Sequence, residues 1–316
     1  MRTLLLLALL LTQAAPPEPA GYGYPIALPG RSPADGFVIR HGYAAENTWY
    51  NPGHWHAGED WYALEGDTGG ALVLAAAAGE VRYVGANYPG RVVIVRGDDG
   101  LYAMYGHLDP RVAVRVGQRV TRGDLLGTVL AQRNARAPSH LHFEIRTFYT
   151  ARAVNGPAPR YRFRCGPRCP PGPGYWPLAA PEHPAELGWR NPSHVIARRS
   201  SPDTAVVATQ PASSTLTLWD APPIGGVRAR EVMTLALRPG ARFRLLEVRA
   251  GPEDERAGSA AAYVLWYRLR LPGGGEGWAQ AAVPSTLETG ADARPSSVRF
   301  NLLPEDAERR TLNAER

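Results

Sequence analysis

The sequence predicts a mainly β protein built from antiparallel strands. Its 316 residues include 34 glycines and 30 prolines, a content that predicts many turns. Short apolar runs interrupted by glycines fill residues 36–152, and no stretch there keeps a sustained helical period. A composition of 44% hydrophobic and 20% charged residues is ordinary for a folded chain. We therefore expect antiparallel β domains joined by linkers.

The N-terminus predicts a signal peptide over residues 1–15. Met1-Arg2 is followed by an apolar run over residues 4–11, then by small residues and prolines. The run is shorter than the ~20 residues that a spanning helix needs, so stable membrane insertion is not expected. No cysteine follows the run as a lipid-anchor site. We expect a secreted or periplasmic protein in which residues 16–35, rich in proline and glycine, form a linker.

The first domain is expected over residues 36–199. Within it, residues 92–95 and 101–105 flank Asp98-Asp99-Gly100, which predicts a β-hairpin. Residues 153–190 are a proline-rich, irregular insertion, which could form a wall of a cleft, a mobile flap or a partner surface. Residues 191–196 are expected to return as a last strand.

The basic residues narrow the range of functions. All 35 are arginine, and without lysine the chain cannot perform Schiff-base chemistry or carry a lipoyl or biotinyl group. The net charge of +6 lies entirely in the first 199 residues and suggests anionic surroundings. Since this excess is modest and an export signal precedes it, nucleic acid is not an expected partner.

The two cysteines, Cys165 and Cys169, lie close together within the insertion. In an exported chain a local disulfide is the first interpretation. A zinc-binding pair and two free thiols are the alternatives, although there is no second cysteine pair to complete a structural zinc site.

The segment from residue 139 to 146, S-H-L-H-F-E-I-R, predicts a strand with one polar and one apolar face. Because strand side chains alternate, the polar face carries the following residues: His140, His142, Glu144 and Arg146. The apolar face belongs to a core, so the polar face is expected to look into a cleft or solvent. Two histidines there could bind a metal, although a bare H-x-H is more often a pair of surface histidines.

Two further histidine motifs precede this strand. His56 and Asp60 are four residues apart around Gly58, so both could reach one metal ion from a turn. His54 is a weaker competitor for His56. His107, in Y-G-H-L, follows Gly106 at the end of the second hairpin strand, where a lone histidine is usually structural.

Taken together, H-x-x-x-D, Y-G-H-L and S-H-L-H-F-E-I-R resemble the lysostaphin and LytM type of zinc metallopeptidase over about residues 36–150 and 191–196. The resemblance implies a lipoyl-like barrel-sandwich fold, described as a duplicated hybrid motif. It also implies one Zn²⁺ held by His56, Asp60 and His142. His140 and His107 match the two catalytic histidines of the family, and Tyr50 matches a tyrosine credited with stabilising the oxyanion. Glu144 is interpreted as a structural or supporting residue.

This resemblance implies an exported, monomeric zinc endopeptidase that hydrolyses peptides of bacterial peptidoglycan. Zinc would activate a water molecule and polarise the scissile carbonyl, and the two histidines would move the proton. Anionic wall polymers are a further candidate partner for the arginines of the insertion. The alternative is a non-catalytic wall-binding or hydrolase-activating protein of the same fold.

A second β domain is expected over residues 215–285, after a linker at 200–214 and before a flexible tail at 286–316. An opening apolar run at residue 216, a Pro-Gly turn at 239–240 and Trp266-Tyr267 precede a closing Gly277-Trp278. These features resemble a small bacterial SH3-like barrel, which implies a role in wall targeting. A domain used only for packing is an equal alternative.

Overall fold

A computed structural model describes residues 21–46, 51–86, 90–132, 138–161, 169–200, 205–208, 215–238, 240–256, 263–284 and 296–303. The predicted signal peptide and Tyr50 lie outside these residues. In the described part of the chain, no helix is long and apolar enough to cross a membrane.

The first half of the chain contains thirteen described strands and two short helices. In chain order they are β1 (Ile26–Ala27), β2 (Phe37–His41), β3 (His54–His56), β4 (Glu59–Ala63), β5 (Leu72–Leu74), β6 (Gly79–Gly85), β7 (Arg91–Gly97), β8 (Tyr102–Leu108), β9 (Arg119–Val120), β10 (Leu125–Thr128), β11 (Leu141–Arg146), β12 (Tyr175–Pro177), α1 (Pro184–Leu187), β13 (Trp189–Arg190) and α2 (Pro192–Arg198).

The second half contains nine described strands. They are β14 (Ala205–Ala208), β15 (Thr215–Trp219), β16 (Glu231–Ala236), β17 (Arg242–Ala250), β18 (Leu265–Arg270), β19 (Glu276–Gln280), β20 (Ala282–Pro284), β21 (Ser296–Val298) and β22 (Phe300–Leu303). The described sheets are antiparallel throughout, which confirms the predicted mainly β, antiparallel class.

The main sheet has the strand order β20-β21-β2-β4-β11-β8-β7-β6-β9, and β13 also pairs with β11. The predicted hairpin is confirmed, since β7 and β8 pair and Gly100 takes the positive φ of 86° that its turn requires. Strand β11 lies at the middle of this sheet with β4 and β8 on either side. This central position brings the three histidine motifs together.

The prediction of a linker over residues 16–35 is wrong for residues 21–35. Tyr22, Tyr24 and Ile26 are buried in the main core, and β1 joins β5 and β10 in a small sheet. Pro25 does not disturb this sheet because its carbonyl still accepts a hydrogen bond from the Leu74 N–H. The apolar side chains therefore outweigh the proline and glycine content that suggested a linker.

The strand expected at residues 191–196 is also wrong, because Pro192–Arg198 forms helix α2. Asn191 caps the helix by accepting a hydrogen bond from the His194 N–H, and Pro192 occupies the first turn. An Asn-Pro pair of this kind is a helix-start signal.

The expected linker at 200–214 contains strand β14, and the expected tail at 286–316 contains β21 and β22. Strands β14 and β22 complete a seven-stranded sheet of order β16-β15-β19-β18-β17-β14-β22. Strand β21 pairs with β2 of the main sheet. The described strands of these segments therefore belong to sheets, and the SH3-like character of the second half stays a prediction.

The insertion packs as a small structure of its own against the first half. Its strand β12 pairs with β3, and Trp176 and Trp189 are buried in a second apolar cluster. Cys169 is disulfide-bonded, and the chain's other cysteine, Cys165, lies outside the described residues.

Candidate metal centre

The pairing of β11 with its neighbours places the predicted site. His142 lies directly across from Asp60 on β4 and from Gly106 on β8. The intervening apolar residues Leu141 and Phe143 belong to the main core, as the alternation predicts. The polar side chains consequently share the opposite face, where they meet the end of β3 and the insertion.

Three predicted metal ligands converge on this face. His142 Nδ1 lies 2.9 Å from Asp60 Oδ1 and 3.0 Å from His56 Nε2, and His56 Nε2 lies 3.3 Å from Asp60 Oδ1. All three side chains are buried. Because Zn–N and Zn–O bonds are about 2.0–2.2 Å long, ligand atoms of a tetrahedral zinc site lie about 3.3 Å apart. The donor types and their spacing therefore fit a zinc ion.

The charges of the cluster are consistent with a cation site. Burial alone would raise the pKa of Asp60, but His56, His140 and a hydrogen bond from His142 hold that pKa well below its usual range. Burial would lower the pKa of His142, yet its hydrogen bonds to Asp60 and Glu144 raise it to about 9. The two carboxylates beside His142 therefore favour a positive charge at this point, as they would favour a bound metal ion.

Backbone carbonyls orient two of the histidine rings. His56 Nδ1 lies 3.3 Å from the Gly42 carbonyl oxygen, and His140 Nδ1 lies 2.9 Å from that of Pro138. A carbonyl can only accept, so each Nδ1 carries the proton. With Nδ1 bound to a carbonyl, Nε2 of His56 faces Asp60 and His142. In the same way, Nε2 of His140 faces Asp60 and lies 3.8 Å from its Oδ1.

His140 and His107 form a pair beside the cluster. Their ring centroids are 4.5 Å apart, and the His107 ring lies 6.4 Å from that of His142. Tyr62 stacks on His140 at 4.9 Å. Burial lowers the pKa of His140, which keeps the imidazole neutral and able to accept a proton.

Gly58 is needed for close packing against a neighbouring strand, whereas the sequence suggested that it permits a turn. A Cβ atom at Gly58 would lie 2.4 Å from the Phe143 carbonyl oxygen, which belongs to the backbone of β11. The glycine is therefore required because the chain between His56 and Asp60 passes very close to β11.

His54 does not join the cluster. It lies at the other end of β3, and its Nδ1 contacts the Pro52 carbonyl oxygen at 3.1 Å. The structure thus places His56, rather than its competitor, beside Asp60 and His142.

Two residues near the cluster were not found from the sequence. His41 is buried at the end of β2 across from Asp60, with its Nδ1 3.8 Å from Asp60 Oδ2, and burial lowers its pKa to about 4. Tyr175 of the insertion lies across from His56, with ring centroids 5.2 Å apart. Neither residue belongs to a recognisable sequence motif. Each is brought to the site by the pairing of its strand with another strand.

The polar face of β11 does not look into solvent along its whole length. Glu144 and Arg146 are fully buried, because Trp189 and the proline-rich part of the insertion cover them. The expectation of an open polar face is wrong for these two residues.

Comparison with known proteins locates the resemblance on the chain. Residues 54–156 match Peptidase family M23. The matched M23 range contains five of the predicted site residues, His56, Asp60, His107, His140 and His142, and it begins after Tyr50. No curated protein matches the sequence.

Several solved structures are similar to parts of the chain. A zinc-containing peptidase from Vibrio cholerae is 26% identical over 40% of this chain, with a TM-score of 0.31, and the match spans 36% of that protein. The catalytic domain of a mutant of the prophage-encoded M23 protein EnpA from Enterococcus faecalis is 28% identical over 35% of this chain and 80% of its own, with a TM-score of 0.29. The antimicrobial peptidase lysostaphin from Staphylococcus simulans is 14% identical over 89% of this chain and 99% of its own, with a TM-score of 0.35.

Proposed function

We propose that this protein is an exported zinc-dependent endopeptidase that hydrolyses peptide bonds of bacterial peptidoglycan. The observation that carries the proposal is the buried set of His56, Asp60 and His142 inside the M23 range. His140 and His107 stand beside this set. The signal peptide would deliver the protein to its substrate, and the second β domain would hold it at the wall.

In this proposal His56, Asp60 and His142 hold the zinc ion. A bound zinc ion supplies a Lewis acid that polarises the scissile carbonyl and lowers the pKa of a water molecule towards about 7. The remaining chemistry falls to the chain's own residues.

His140 and His107 are the proposed proton carriers. A neutral imidazole can accept the proton of the attacking water and return it to the leaving amine. The His140 ring is held by the Pro138 carbonyl, so its Nε2 is the nitrogen available for this exchange. Tyr50 is the proposed hydrogen-bond donor to the oxyanion.

Replacing His140 with alanine tests the proposal. We expect release of soluble wall peptides from purified peptidoglycan to fall by at least about 10²-fold. A chelator should abolish release, and added zinc should restore it. His54→Ala is the matched control and should retain activity, because His54 contacts only the nearby Pro52 carbonyl among the hydrogen bonds described.

Two results would overturn the proposal. Undiminished release by His140→Ala or in the presence of chelator would exclude the zinc mechanism. Binding of zinc by the wild-type protein without any turnover would favour the non-catalytic, hydrolase-activating alternative.

A further inference from the structure

His142 uses its two ring nitrogens for different purposes. Nδ1 faces Asp60 and His56, whereas Nε2 lies 3.0 Å from Glu144 Oε1. Glu144 is a fully buried carboxylate two residues further along the same strand. Because a carboxylate accepts, the proton on this side of the ring belongs to Nε2. Nδ1 is then the nitrogen that would exchange its proton, which it donates to Asp60 in this structure, for a metal ion.

The other oxygen of Glu144 is fixed as well. Trp189 Nε1 donates a hydrogen bond of 2.9 Å to Glu144 Oε2, and Arg146 Nη1 lies 3.5 Å from the same oxygen. The indole of Trp189 is itself buried against the rings of Trp176 and Phe148. The carboxylate therefore has partners on both oxygens and little freedom to rotate.

Arg146 connects this carboxylate to the insertion. Its guanidinium is fully buried and donates to the carbonyl oxygens of Pro170 and Pro171, at 2.9 Å for Pro171. These prolines follow the disulfide-bonded Cys169. The positive charge of Arg146 also offsets the cost of burying the Glu144 carboxylate.

We propose that Glu144 is a positioning residue that fixes the tautomer and orientation of His142, and that the insertion sets the metal affinity through Trp189 and Arg146. The inference rests on the proposed metal site. A carboxylate that accepts the second N–H of a metal-binding histidine makes the ring a stronger ligand, and its loss typically weakens metal binding 10–100-fold. In this proposal the insertion contributes to the metal affinity of the site without supplying a ligand.

Zinc affinity of the full-length protein tests this inference. Metal-free protein is titrated with zinc against a chromophoric chelator, and with cobalt while visible absorption is recorded. Glu144→Gln keeps the shape of the side chain but removes its charge, so we expect zinc to bind about 10–100-fold more weakly. The cobalt absorption bands should shift, because ligand strength at His142 changes. Glu182→Gln is the control, since that carboxylate pairs with Arg160 on the surface of the insertion, and it should bind as wild type does.

A pair of tryptophan variants separates positioning from packing. Trp189→Phe removes the N–H donor to Glu144 but keeps an aromatic ring, and it should weaken zinc binding several-fold. Trp176→Phe alters the same cluster, but its N–H donates to the Glu182 carbonyl, so zinc affinity should stay unchanged. This pair decides the question even if Glu144→Gln fails to fold.

The inference fails if folded Glu144→Gln binds zinc like wild type, or if both tryptophan variants lose affinity equally. If the wild-type protein binds no zinc, the proposed function fails instead, so the two failures are distinguishable.

Discussion

His107 holds a backbone conformation that most residues avoid. Its φ of 62° lies in the left-handed region, where a side chain other than glycine is strained by about 1–2 kcal/mol. The strain occurs at the end of β8, next to Gly106, which lies across from His142. The bend directs the His107 ring towards His140. Strain at such a position is expected where a side chain is held for chemistry.

Replacing His107 with glycine and with alanine tests this interpretation. Both variants remove the imidazole, so both should lower peptide release by about 10²–10⁴-fold. Glycine also relieves the strain, whereas alanine keeps it. We therefore expect the glycine variant to be more stable than the alanine variant by about 1 kcal/mol in urea denaturation. Greater stability of the alanine variant would show that the conformation is not strained.

The residues of the proposed site could be predicted from sequence because each stands in a short motif. His56, Asp60, His107, His140 and His142 all come together in the structure. Their supporting residues could not be predicted in the same way. His41 and Trp189 reach the site from β2 and β13, and only the pairing of distant strands brings them there.

At the scale of elements, the close contact between Gly58 and β11 fixes the geometry of the metal ligands. Gly58 lies between strands β3 and β4. Strand β3 ends at His56, just before this glycine, and strand β4 carries Asp60, just after it. Since a Cβ at Gly58 would collide with the Phe143 backbone, any side chain there must push β4 away from β11. That movement would separate Asp60 from His142.

Gly58→Ala should therefore disturb both the fold and the metal site. We expect a loss of about 1–3 kcal/mol in the free energy of unfolding, the usual cost of overpacking, together with weaker zinc binding. Gly273→Ala is the control, because a Cβ there meets open space. Its unfolding free energy should change by no more than about 0.5 kcal/mol. Equal stability of the two variants would contradict the proposed close contact.

The two incorrect linker predictions have a common physical cause. The composition of residues 21–35, and that of the surroundings of residues 205–208, predicts linkers, but strand β1 pairs with β5 and strand β14 pairs with β17 and β22. Such pairing depends on a partner strand far away in sequence, which local composition does not reveal. The helix at residues 192–198 was missed although Asn191-Pro192 offered a local start signal.

At the scale of the whole molecule, the two halves are joined more closely than the sequence suggests. Strands β20 and β21 extend the main sheet beside β2. Arg199 of the first half also makes two hydrogen bonds to Glu253 of the second, both of 2.9 Å. The second half is therefore in direct contact with the proposed catalytic half, and the expected division between two domains stays a prediction.

We propose that the whole protein is a zinc-dependent enzyme that cuts peptide bonds of peptidoglycan. Mass spectrometry of purified peptidoglycan, digested by the wild-type protein with zinc or with chelator, tests it most directly. We predict new amino and carboxyl ends and fragments heavier by one water per cut, formed only with zinc and absent for Asp60→Ala. New reducing sugar ends, or no new ends at all, would contradict the claim.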